Sequence, residues 1–115
     1  MKFYLVVSTV PSAKLARKLA ISLVQNRLAA CVNVVTGVAS FFWWQGKIDK
    51  AREYLLLIKT SKPLFPRLLK FLRKHHPYQV PEIISFSIEK GNSEYLRWIE
   101  ETLKRKRSSK PRIKS

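Results

Sequence analysis

Cysteine is almost absent from this chain: Cys31 is the only one in 115 residues. That excludes an intramolecular disulfide and any zinc site built from clustered thiolates, and it favours a reducing compartment. Glycine is nearly as scarce, with three residues, and none of them belongs to a glycine-rich phosphate loop. No apolar run approaches a membrane span. The N-terminal run covers Phe3 to Val7 and ends at Ser8, too short for the apolar core of a signal peptide. No nucleophile and general base stand in a linked motif, so the chain does not read as an enzyme. A cytoplasmic, soluble binding or assembly protein is the expectation.

Acidic residues are the next shortage, 7 against 23 lysines and arginines, for a formal charge of +16 and a pI near 10.5. Seven of those bases fall between Lys104 and Lys114 with no acid among them, and without them +9 remains. A block of like charge carrying serine and proline cannot bury itself. Residues 104–115 are therefore expected to be a disordered basic tail behind one domain, residues 1–103. Such a tail suits nucleic acid or another anionic partner, because neutralising phosphates releases counterions. The competing expectation is a solubilising tail whose contacts with nucleic acid are incidental.

What is present alternates between the periods of strand and helix. Phe3 to Thr9 reads as a strand, and Ser12 caps a helix with Leu15, Ala16, Leu19, Ala20, Leu23 and Val24 on its apolar face. Strand residues run from about Ala29 to a break at Thr36-Gly37 and resume as Ser40 to Trp44. A polar hairpin at Gln45 to Lys50 leads to a returning strand, Glu53 to Thr60. A second helix carries Leu64, Phe65, Leu68, Leu69 and Leu72, with its start near Pro63 or irregular because Pro66 fits only a first turn. Ile84, Phe86 and Ile88 then alternate with serines, as in a strand with one dry face. A last helix turns Tyr95, Leu96, Trp98, Ile99 and Leu103 inward. The order strand, helix, strand, strand, helix, strand is the split βαβ pattern of an α+β, ferredoxin-like domain with an antiparallel sheet, here with an extra C-terminal helix.

Phe41 to Trp44 and Tyr54 to Ile58 are apolar at both parities. Neither face of their sheet can be left in water without exposing a large patch. With both principal helices on one face, a second copy of the chain is the expected cover for the other.

Around Pro77 and Pro81 lie two imidazoles, a phenol and a carboxylate: His75, His76, Tyr78 and Glu82. The prolines fix their own φ and push the preceding residue to extended geometry, so these groups are held on a stiff connector. Read without context, adjacent histidines after a basic helix are a solvated helix end as readily as a metal site.

Five blocks in order set that context: Leu28-Ala29-Ala30-Cys31-Val32-Asn33; Ser40 with Trp44-Gln45-Gly46-Lys47-Ile48; Ile58-Lys59-Thr60; His76-Pro77-Tyr78-Gln79-Val80-Pro81-Glu82-Ile83; and Gly91-Asn92 with Tyr95-Leu96-Arg97-Trp98-Ile99. Together they resemble the CutA family of divalent-cation tolerance proteins over residues 3 to about 101. The resemblance implies a ferredoxin-like homotrimer whose sheets face the threefold axis, and a role in the response to metal ions, copper notably. Copper ligation in that family implies His75 and His76 as metal ligands, together with a first-strand cysteine whose position here is Ser8. The soft ligand suited to copper is therefore missing. Cys31 matches a different family cysteine and is expected to be a buried small hydrophobe. Phe42 stands where the family's aromatic strand has a tyrosine.

Three functional classes follow. The first is a trimer that binds a divalent ion, copper or zinc, at His75 and His76, with Glu82 orienting an imidazole and no requirement for the metal in folding. The second is a small-molecule or anion-binding signalling trimer with Trp44, Lys59, Tyr78 and Glu82 lining a cleft between subunits. The third is a nucleic-acid-associated protein led by the basic tail. Phe41 to Trp44 has no interleaved base, which weakens that third reading as a stacking platform.

Overall fold

A computed structural model describes residues 1–105. Four strands, β1 (Phe3–Val10), β2 (Cys31–Trp44), β3 (Lys47–Ser61) and β4 (Ile83–Ile88), form one antiparallel sheet in the order β2-β3-β1-β4. Helices α1 (Ala13–Gln25) and α2 (Phe65–His75) connect the strands, and α3 (Ser93–Lys104) follows β4. This is the ferredoxin-like α+β arrangement with its additional C-terminal helix.

Local chemistry sets the helix ends. Ser12 accepts a hydrogen bond from the Leu15 amide at 3.2 Å and Asn92 accepts one from Glu94 at 3.0 Å, each satisfying an orphan donor of a first turn. A single 3₁₀ turn, Lys62–Leu64, precedes α2, which places Pro66 in the first α-helical turn where its missing N–H costs nothing. Arg73, Lys74 and His75 occupy the last turn of α2, at the negative end of its dipole. At the end of α1, Arg27 adopts the left-handed conformation (φ 57°). Its N–H bonds to Val24 O and the Leu28 N–H bonds to Leu23 O, a Schellman closure with arginine where glycine is usual.

The core lies between the sheet and the first two helices. Val6 and Val10 of β1, Leu56 and Ile58 of β3, Leu19 and Leu23 of α1, and Leu68 and Leu72 of α2 are buried together. Each such leucine contributes roughly 1.5–3 kcal/mol by its removal from water. Strand alternation sends Phe3 to the opposite face, where it packs with Ala30 and with Ile99 of α3. Thus α3 covers one end of the second face, and the rest of that face stays open.

Several sequence expectations are corrected. Strand β3 begins at Lys47, so the connection is the two-residue Gln45-Gly46 turn, with both residues at positive φ (51° and 77°) as a type I′ hairpin requires. Lys47 to Arg52 pair with Ala39 to Trp44 in an arm without a core face, which is why burial periodicity does not announce them. Thr36-Gly37 shifts the register between Val35 and Val38 but does not end β2. The dry face of β4 is not dry in the single chain, where Phe86 is 52 % exposed and Ile84 45 %. Tyr95 and Trp98 stack on each other at 5.6 Å between ring centroids and remain 40 % and 45 % exposed, so they turn inward only in part. Helix α3 ends at Lys104, which lies in its last turn and forms an ion pair with Glu100. The rest of the expected basic tail, beyond Arg105, lies outside the described residues.

Candidate functional site

Pro77 terminates α2 by forcing His76 into an extended conformation (φ −87°, ψ 136°). The two histidines thereby part company. His75 remains on the last helical turn, exposed, with its ring against Phe71 at 4.4 Å between centroids. His76 turns under the sheet and is buried. Its Nε2–H donates to the Thr9 carbonyl at 2.8 Å, and its Nδ1 accepts the Tyr78 amide at 3.1 Å. Both ring nitrogens are committed and the tautomer is fixed as Nε2–H. Ligation of a metal by His76 requires breaking one of these bonds, whereas His75 has no such commitment.

Tyr78 extends the network. Its hydroxyl donates to Glu53 Oε2 at 2.7 Å, and burial, then the hydrogen bond, then the carboxylate charge push its pKa up to about 12. Glu53 is buried although charged. Sequence reading missed it because a lone glutamate at a strand start carries no motif. Its only signal is its place between strand-forming residues in a chain so poor in acids.

Lys59 lies elsewhere, on β3 opposite Cys31. Its ammonium donates to Asn33 Oδ1 and approaches Cys31 Sγ at 4.0 Å. Cys31 is half-buried rather than buried, since its neighbours on the second face of the sheet are polar. Tyr95 also reaches this thiol, and burial followed by Cys31 raises its pKa. Trp44 ends the arm, opposite Lys47, and is exposed. Along β3 that separates it from Lys59 by roughly 40 Å at about 3.3 Å per residue. Glu82 is exposed on the connector. Within one chain, then, His76 and Tyr78 come together with Glu53, while Trp44, Lys59 and Glu82 do not join them. Among the described residues no three histidine, cysteine, aspartate or glutamate side chains converge as a metal group.

The profile of the CutA1 divalent ion tolerance protein family matches residues 4–102. The chain belongs to that family. It is 49 % identical over 96 residues to the divalent-cation tolerance protein CutA of Thermus thermophilus, covering 84 % of this chain and 93 % of that protein. It is 44 % identical to mouse protein CutA over 79 % of this chain, and it spans about half (51 %) of the mouse protein's length. Among solved structures, the Thermus thermophilus protein superimposes with a TM-score of 0.85 at 47 % identity, covering 87 % of this chain and 97 % of that one. Rice CutA1 gives 0.87 at 39 % identity, over 89 % and 94 % of the two chains. The Archaeoglobus fulgidus structure, described as a periplasmic divalent cation tolerance protein, gives 0.86 at 37 % identity over 89 % and 99 %. Chloroplastic members occur in rice and Arabidopsis thaliana, so the family is not confined to one compartment. None of these family descriptions carries a catalytic activity. Among the described residues, no helix is long and apolar enough to cross a membrane.

Proposed function

We propose that this chain is a cytoplasmic, non-catalytic homotrimer of the divalent-cation tolerance family that takes part in the response to metal ions. The family match across residues 4–102 carries the reading. The open second face supports assembly: Phe86, Ile84 and an arm whose Trp43 is 73 % exposed present apolar side chains that a partner copy would cover. In the assembled form His75 is the metal ligand, with copper(II) or zinc as the ion and the remaining ligands drawn from water or another copy. His76 keeps its structural bonds and Glu82 stands near enough in sequence to orient an imidazole.

The second reading, a small-molecule or anion cleft lined by Trp44, Lys59, Tyr78 and Glu82, would need residues from more than one copy, because Trp44 and Lys59 lie too far apart in one chain. Light scattering after gel filtration tests the assembly, with a trimer expected at micromolar concentration. Calorimetric titration of copper(II) and zinc into wild type and His75→Ala tests the site. A monomer in the first experiment, or equal affinity in the second, removes the corresponding half of the proposal.

A further inference from the structure

Charge is segregated in this molecule. The first acid in the sequence is Asp49, and none occurs between Tyr54 and Pro81. Helices α1 and α2 consequently carry seven exposed bases and no carboxylate. The bases do not sit on a flat face. Two adjoining grooves flank α2, of about 590 and 510 Å³. The larger, bounded by the ends of α1 and α3, is lined by Arg27, Arg67, Lys70, Lys74 and Arg105. Lys70, Arg73 and Lys74 line the smaller one as well. No acid lines either groove, and the one ion pair among the described residues, Lys104 with Glu100, involves none of these bases.

Arg27 strengthens the pattern. It holds the left-handed position where glycine or asparagine is usual, and its side chain lines the groove, donating to Thr102 O at 3.4 Å. Arg67, Lys70 and Lys74 lie on one face of α2 over roughly 10 Å, long enough to meet more than one phosphate of a duplex backbone. The grooves are open, and no glycine-rich loop or buried charged donor grips a single phosphate. Repeated anionic groups on a backbone fit this surface better than one small anion. The sequence beyond Arg105 adds five more bases.

We infer that the grooves flanking α2 form a nucleic-acid backbone-binding surface, separate from the metal reading and from the apolar face used for assembly. Recognition is through phosphates and has no base specificity.

Fluorescence anisotropy with a labelled mixed-sequence DNA duplex, at salt from about 50 to 200 mM, tests this. Three full-length variants remove equal charge, the groove and control variants from exposed positions, and thermal unfolding by circular dichroism confirms that each is folded. The groove variant is Arg67→Gln, Lys70→Gln, Lys74→Gln; the control is Lys2→Gln, Lys90→Gln, Arg97→Gln; the third is Lys106→Gln, Arg107→Gln, Lys110→Gln. The groove variant should lose at least about tenfold in affinity and reduce the salt slope by about three. The control should stay within about twofold of wild type. Equal losses in groove and control variants would reduce the effect to diffuse charge and overturn the inference. So would loss confined to the third variant, or binding to phosphatidylserine vesicles without binding to the duplex.

Discussion

Tyr78 donates its phenol to the buried carboxylate of Glu53 at 2.7 Å, while its amide holds the ring of His76 against the end of β1. One residue thus ties the connector after α2 to both central strands. Tyr78→Phe should cost about 1–3 kcal/mol, because it leaves a buried carboxylate without its partner. The pH dependence has a definite sign. A phenol whose folded pKa is raised to about 12 contributes stability that is complete below the unfolded value near 10 and is lost between 10 and 12. Chemical denaturation from pH 9 to about pH 12 should show wild type losing stability faster than Tyr78→Phe. Parallel curves would contradict the assigned bond.

The two histidines should separate on substitution. His76→Ala removes two buried hydrogen bonds and should destabilise by roughly 2–3 kcal/mol, whereas His75→Ala should alter stability little and weaken metal binding. Acidification should weaken that binding too, since a protonated imidazole offers no lone pair. Urea midpoints and calorimetric titrations of the two single variants distinguish the roles, and loss of metal with His76→Ala alone would reverse them.

Ser8 is fully buried in the core and its hydroxyl has no hydrogen-bond partner. Ser8→Ala removes a desolvated polar group at almost no loss of volume, so the protein should gain about 1 kcal/mol. The denaturation midpoint should rise with an unchanged m-value. A fall of similar size would mean that the hydroxyl is satisfied.

Gln45 is a non-glycine residue held at φ 51° in the arm's turn. Gln45→Asn, which tolerates that conformation better, should raise stability by about 0.5 kcal/mol. The adjoining Gly46→Ala should lower it by about 1 kcal/mol. Thermal unfolding of both variants at one protein concentration measures the pair.

Phe86 lies in register with Leu5 on the open face of the sheet. Phe86→Glu places a charge in the proposed subunit contact and should give smaller particles by light scattering, with the fold retained by circular dichroism. An unchanged particle mass would put the interface elsewhere.

The sequence by itself determined the elements and their order. Ser12, Asn92, Pro66 and Pro77 fix helix ends through backbone chemistry that needs no tertiary partner, a short apolar run marks β1 and alternating apolar residues mark β4. It also determined the family, because motifs in order at matching spacing do not depend on where side chains point. Only the tertiary structure separated His75 from His76, since neighbours in sequence diverge once the helix ends between them. Only it paired Tyr78 with Glu53, 25 residues away, and extended β3 back to Lys47, where both faces are exposed in one chain and leave no periodic trace. The grooves beside α2 belong to the same class. Arg27, Arg67 and Arg105 lie on three different helix ends or faces, and no local rule brings their charges to one place.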